Sequence, residues 1–432
     1  MNTSMIRYIL GHVLKIEAIL LLLPCLTAVY YQEIQGVYYL LTAAICIVLG
    51  FLMTLRKPKN NVFYLKEGCV ATALSWIFLS VFGCLPFVFS REIPSFTNAL
   101  FETISGFTTT GASILEDVEA LSHCALLWRS FTHWIGGMGV LVFLLAIVPM
   151  SGGSNINLMR AESPGPSVGK LVYYFILFHQ FRKAFGMEEV RAYFVVILAS
   201  VAFITCNIRS MCTGVFDALT QAAFQVGSII TTTGFATANF DLWPKASQTI
   251  LVMLMFCGAC AGSTGGGIKV SRLLIAGKTV VKELRSYIHP KIITKVKMDG
   301  KPIEHEVVRA TNVYVMTFVV IFTASVFAVS FEGHDLVTNF TAVAATINNI
   351  GPGLSLVGPA ANFNFFSPIS KYVLMFDMLA GRLELFPLLI LFPLYYVIRE
   401  PLTYMLHNTR PVSEAIVAYM RNSGVDLGKN TY

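Results

Sequence analysis

Two segments of this chain, ISGFTTTGAS at residues 104–113 and SIITTTGFAT at 228–237, set threonines before a glycine inside strongly apolar surroundings. A third, ATINNIGPGL at 345–354, keeps the glycine and replaces the threonines. Such segments can coordinate an ion through backbone carbonyl oxygens, with threonine hydroxyls as further ligands or as ties to the surroundings. Glycine permits backbone conformations that a Cβ would block. None of the three carries a charged side chain, which suits a monovalent cation; a ring of carboxylates is the expected device for a divalent or less selective site. The candidate cation-ligand set is Thr109, Thr110 and Gly111, with Thr232, Thr233 and Gly234, and Asn349, Ile350 and Gly351. One Thr/Gly segment alone would read as close helix packing by small residues. Three copies, each between a short helix and a long apolar run, read as pore loops.

A second glycine-rich stretch, Gly262, Ser263, Thr264, Gly265, Gly266 and Gly267, interrupts an apolar run. It is not a phosphate-binding loop: Ile268 separates Gly267 from Lys269, and no strand precedes it. Six small residues, four of them glycine, disfavour helix by about 1 kcal/mol per glycine relative to alanine and leave a segment that shifts easily. Arg382 lies in the last apolar run, where a charge is costly and normally faces a cavity or a partner. In a low-dielectric cavity its charge would also repel an approaching cation. Glu384, two residues on, points to another side of the helix. The nine cysteines are scattered, and the Cys257/Cys260 pair lacks the second pair or the βαβ setting of a metal or redox motif. No carboxylate pair, nucleophile–base set or metal-ligand cluster accompanies the apolar runs, so an enzyme is not expected. Arg129, His133, Trp134 and Trp243 sit near outer ends of runs and read as interfacial anchors.

The elements that must position these residues are membrane helices. The chain is 55% hydrophobic and 13% charged, with a mean hydropathy of +0.68; a soluble domain would carry about twice that charge fraction. Apolar runs at 9–30, 38–55, 70–90, 130–150, 192–208, 247–261, 311–331 and 373–398 predict eight crossings. The first run is long enough to span and has no small-residue cleavage site after it, so it does not read as a cleaved signal. Basic residues concentrate after the second, fourth and sixth runs, which places those loops and both termini in the cytoplasm. The net charge of +7 therefore reflects topology and is no nucleic-acid footprint. After the first two runs one order recurs three times: span, short helix (FTNALFETISGF, FDALTQAAFQVGSI, LVTNFTAVAATI), glycine-bearing loop, span. The short helices are about 12 residues, too short to cross a bilayer and fit for re-entrant helices. The layout expected is a hairpin at 1–66, repeats at 67–160, 191–290 and 291–400, a cytoplasmic linker at 161–190 and a polar tail at 401–432.

The stretches FETISGFTTTGAS, WRSFTHWIGGMGV, RAESPGP, SIITTTGFATANFDLWP, GACAGSTGGGIKVSR, ATINNIGPGL and AGRLELFPLLILF resemble the Trk/Ktr/HKT superfamily of potassium transporters, and most closely the bacterial Trk-type membrane subunit. The resemblance runs over nearly the whole chain. It implies an all-α polytopic fold of M1–pore–M2 repeats around one pore, with one filter glycine from each repeat, here Gly111, Gly234 and Gly351. It implies K+ as the transported ion with no cofactor in the chain, and an intramembrane gate at 262–267 with Arg382 beside it. It also implies a homodimer in the bacterial inner membrane and a cytosolic nucleotide-binding (TrkA-like) regulatory subunit docked on the inner loops. The basic segment 269–309 could also meet anionic lipid heads. One departure is large. The family's second repeat belongs between RAESPGPSVGK and FRKAFGMEEVRAYF, where only LVYYFILFHQ stands. Three quadrants of a fourfold ring remain, so a folded but non-conducting paralogue is the alternative expectation.

Overall fold

The computed structural model describes residues 2–58, 64–139, 185–261, 263, 265–290 and 295–392. The expectations for the 161–184 linker, Gly262, Thr264 and the 401–432 tail lie outside the described residues. The fold below concerns the compact unit Met1–Leu388.

Asn2 caps helix α1 (Thr3–Leu20) by accepting the Met5 amide. Pro24, which cannot donate to the ladder, marks the break to α2 (Leu22–Tyr31). Gln32 then turns left-handed, and α3 (Gly36–Thr54) returns along α1.

Three units of like order follow. The first has α4 (Leu65–Gly83) and α5 (Leu85–Phe89), the short α6 (Phe96–Phe107) and α7 (His123–Met138). The second has α8 (Glu188–Ile208), α9 (Val215–Ile230) and α10 (Lys245–Met255), continued after a loop by α11 (Val270–Ile288). A two-residue hairpin, β1 (Lys297–Met298) with antiparallel β2 (Lys301–Pro302), leads to the third unit: α12 (His305–Ser330), α13 (Leu336–Ile347) and α14 (Pro368–Arg382). The short helix α15 (Phe386–Leu389) closes the unit. The fold is mostly helical, as expected.

Five helical stretches among the described residues are long and apolar enough to cross a membrane: Thr3–Tyr31, Gly36–Thr54, Lys66–Phe89, Glu188–Met211 and His305–Ser330. They match five of the eight predicted crossings. The helices of the other three, α7, α10 and α14, have 16, 11 and 15 described residues. Each stops for a local reason. Helix α7 ends at left-handed Gly139, α10 runs into the glycine-rich stretch, and α14 stops before Glu384 and Leu385, two consecutive residues with positive φ.

Helices α6 and α13 have 12 residues each, about 18 Å of rise, well short of a bilayer's hydrocarbon of about 30 Å. Both are buried along almost their whole length. Helix α9 instead keeps Phe216, Leu219 and Phe224 exposed. Helices α7 and α14 cross the ends of the short helices α6 and α13 at glycines. A Cβ on Gly136 would lie 1.8 Å from the Phe107 carbonyl oxygen, and one on Gly381 would lie 1.9 Å from that of Ile347.

Candidate ion-conduction site

Each short helix ends in the same left-handed stop. In the first unit the Thr109 amide donates to the Gly106 carbonyl (2.9 Å) and the Thr110 amide to that of Ser105 (2.9 Å). In the second, Thr232 donates to Ile229 (3.0 Å) and Thr233 to Ser228 (2.8 Å); in the third, Asn349 donates to Thr346 (3.1 Å) and Ile350 to Ala345 (2.9 Å). This is the Schellman pairing, normally built on glycine at its left-handed position. Here that position is Thr109 (φ 58), Thr232 (φ 55) or Asn349 (φ 53). A β-branched residue there is a backbone outlier that costs on the order of 1–3 kcal/mol and persists only where its surroundings over-determine it. The surroundings are visible: the Thr108 and Thr110 hydroxyls share a 2.7 Å hydrogen bond, and those of Thr231 and Thr233 one of 2.8 Å. Two residues after each stop the glycine is again at positive φ, at 78, 78 and 103° for Gly111, Gly234 and Gly351. Since the residue between has negative φ, the peptide planes alternate, an arrangement that lets successive polar groups line one side of the chain. The negative end of each short helix's dipole lies at its loop, which favours a cation there.

The loops meet edge to edge. A Cβ on Gly234 would lie 1.7 Å from the Ile350 carbonyl oxygen, and one on Gly351 would lie 2.6 Å from that of Thr110. Asn349 donates to the Thr110 hydroxyl (3.0 Å) and to the Met378 carbonyl (2.8 Å), which ties the third loop to the first and to α14. Gly111 continues the pattern in φ, but its own Cβ position faces away from these contacts, with no described atom within 4 Å. On the other flank Thr231 and Thr233 are exposed, whereas their counterparts Thr108, Thr110, Asn348 and Ile350 are fully buried. Among the described residues, the three loops thus form a row with two open edges.

The glycine-rich stretch lies directly against this row. The Gly266 amide donates to the Thr232 hydroxyl (3.1 Å), and a Cβ on Gly266 would lie 2.2 Å from the Asn348 carbonyl oxygen. The ends of the excursion are drawn together by the Gly258 amide donating to the Ile268 carbonyl (2.9 Å). Buried Glu189 on α8 accepts from Ala261 (2.6 Å) on one flank and from Ser271 (3.1 Å) on the other. Among the described residues, Lys269 also places a cation on the loop's carbonyls. Lys269, 3% exposed, donates to Ser263 (3.0 Å) and Gly265. The guanidinium of Arg382 donates to the Gly136 carbonyl of α7 and lies 5.6 Å from the Trp76 ring centroid. Lys269 reaches the loop because it is only a few residues away along the chain, and α14 turns Arg382 toward α7. Glu384 pairs with Arg272 on α11 at 2.5 Å, and that guanidinium stacks 3.9 Å over Tyr314.

The family model for the cation transport protein TrkH matches residues 37–177 and 172–395. The chain belongs to the TrkH cation transport protein family. The Trk system potassium uptake protein TrkH of Salmonella typhimurium is 29% identical over 482 aligned positions, covering 91% of this chain and 99% of the relative. TrkH of Vibrio parahaemolyticus is 30% identical, covering 90% and 98%. The crystal structure of the potassium transporter TrkH from Vibrio parahaemolyticus superposes with a TM-score of 0.78 at 28% identity, covering 92% of this chain and all of that one. The Salmonella alignment is longer than the 432 residues of this family member, so the relative has segments without counterpart here. The two stretches that match the family model meet at 172–177, the seam where the second repeat was expected.

Sequence reading missed the contacts made across long separations. Lys269 and Glu189 carry no motif, although a lysine just after a glycine-rich break in an apolar run is a signal of sorts. Arg129, read as an interfacial anchor, is paired with buried Glu102 at 2.6 Å. Trp243, read the same way, is 6% exposed and packs with Phe240 in the core of the second unit. Trp134 is 54% exposed, in keeping with an anchor.

Proposed function

We propose that this chain is a potassium-conducting membrane subunit. Thr109–Gly111, Thr232–Gly234 and Asn349–Gly351 form its filter, and the 262–267 stretch forms its gate. The observation that carries the reading is the left-handed stop and positive-φ glycine, repeated in three loops that touch one another. Strain of this kind on threonine serves no packing need and is what a carbonyl-lined cation path requires. The printed names of the relatives, potassium uptake proteins of a Trk system, support K+ as the ion. Gly265 and Gly266, seated beneath the second and third loops, support a gate that Lys269 holds in place and that Arg382 adjoins. In this reading the chain is a multi-pass protein of a bacterial inner membrane, with both termini inside. It works as a homodimer and takes a cytosolic nucleotide-binding regulator on the basic surface around Lys278, Lys282, Lys295 and Lys297, which lines two adjoining hollows.

A second reading has its own observation. The free edge at Gly111 and the exposed Thr231 and Thr233 favour a folded subunit that does not conduct. Growth of a bacterium stripped of its potassium uptake systems separates the two. Rescue by this chain at low external potassium supports conduction. Failure to rescue, with the protein present in the membrane, favours the second reading.

A further inference from the structure

The amide three residues beyond each filter glycine is held by a side chain of the pore helix beneath it, and each helix uses a different residue. In the third loop the Leu354 amide donates to the Thr341 hydroxyl (3.0 Å). In the second, Gln225, with its amide oxygen turned toward the loop, accepts from Thr237 (3.0 Å) and Ala238 (3.2 Å). In the first, the Ile114 amide donates to Glu102 (3.1 Å). Among these braces only Glu102 is charged, and it has the fullest set of partners. The Ser113 hydroxyl donates to its carboxylate (3.0 Å), and Arg129 Nε on α7 donates at 2.6 Å. The Glu102 side chain is 2% exposed and that of Arg129 19%.

A buried ion pair is weak support for stability, because its desolvation offsets its attraction; its attested use is to fix geometry. The neutral braces in the other two loops hold the same amide without a charge. The first loop differs from them in one respect. The Cβ positions of Gly234 and Gly351 each face a neighbouring carbonyl, whereas that of Gly111 meets no described atom within 4 Å. We infer that Glu102, locked by Arg129, is the positioning residue that holds the first filter loop in its ion-selecting shape, bracing from behind the loop whose glycine has the most open Cβ side. This inference rests on the potassium reading above, and Glu102 itself does not touch the ion.

The test is the thermal unfolding midpoint of the full-length protein in detergent, titrated separately with potassium and sodium at constant ionic strength. The readout is the ratio of the sodium to the potassium concentration giving half the shift. In the unsubstituted chain potassium acts at the lower concentration. If neither ion moves its midpoint, the potassium reading fails and this inference with it. Glu102→Ala removes the acceptor and is expected to lower the ratio about tenfold, the scale of one lost hydrogen bond to a charged group. Glu102→Gln keeps an acceptor for Ile114, as Gln225 does for its loop, and is expected to stay within about threefold. A merely structural Glu102 would lower the ion-free midpoint in Glu102→Ala and leave the ratio unchanged, which would overturn the inference. So would a Glu102→Gln ratio as low as that of Glu102→Ala. If Glu102→Ala yields no folded protein, Arg129→Gln decides: a ratio lowered about threefold or more supports the positioning role, and an unchanged ratio overturns it.

Discussion

Replacing Gly111, Gly234 and Gly351 by alanine, one at a time, should give three different results from one chemical change. All three positions have positive φ, so alanine costs about 1–2 kcal/mol at each from backbone strain alone. What differs is the space. At Gly111 the Cβ meets no described atom within 4 Å, so the strain is the whole effect. At Gly351 the Cβ would stand 2.6 Å from the Thr110 carbonyl oxygen, and φ of 103° lies farther from the left-handed well. Overpacking adds about 1–3 kcal/mol there. At Gly234 the Cβ would stand 1.7 Å from the Ile350 carbonyl oxygen. A normal C···O approach is about 3.3 Å or more, so the second and third loops must separate by well over 1 Å. The cost should exceed about 3 kcal/mol, and the ion-binding geometry should be lost. Unfolding midpoints of the purified variants in detergent, with and without potassium, read both effects. The expected order of damage is Gly234→Ala, then Gly351→Ala, then Gly111→Ala, and the last retains stabilisation by potassium. A Gly111→Ala variant as damaged as Gly234→Ala would refute the free edge, because Gly111 would then have to press on a neighbour as the other two do.

Lys269→Met removes the donor to Ser263 and Gly265 and should raise ion flux severalfold in vesicles, with membrane levels unchanged; equal or lower flux would show that Lys269 does not hold the loop. Arg272→Gln strands buried Glu384 and should destabilise by about 3–5 kcal/mol, most of it recovered in the Arg272→Gln/Glu384→Gln double variant. A double variant no better than the single one would argue against a direct pair. Partial burial raises the pKa of Glu33, in the loop between α2 and α3, but the Cys124 and His123 amides and the His123 ring outweigh it and bring the carboxyl from its usual 4.5 to about 2. A carboxylate with a depressed folded pKa contributes stability that is present above the unfolded value and lost as pH falls through the folded one. The midpoint should therefore fall between about pH 4.5 and 2, and Glu33→Gln should remove that part of the slope.

The three glycine-bearing loops were legible because each is local. A short apolar helix, a threonine run and a glycine are neighbours in sequence, and three copies supplied the comparison. The glycine-rich loop was legible for the same reason, since clustered glycine opposes helix whatever surrounds it. Burial of Glu102 against Arg129, of Glu384 against Arg272 and of Glu189 beneath the loop joins residues 27, 112 and 72 or more positions apart. Nothing in composition or periodicity chooses among partners at such distances. The charge of Arg382 marked it as facing a partner; that the Gly136 carbonyl is one depends on how α14 is rotated over α7. Hydropathy also does not register the positive-φ residues Gly139, Glu384 and Leu385, at which the described helices α7 and α14 end.

The most direct measurement of the central claim is cation flux into liposomes holding the purified full-length chain, with potassium and sodium gradients compared in parallel, beside the Gly234→Ala variant. A conducting three-loop filter gives potassium flux well above sodium flux, abolished in Gly234→Ala although the variant is present in the bilayer. Potassium flux no greater than that of protein-free liposomes, or flux that Gly234→Ala leaves intact, would contradict it.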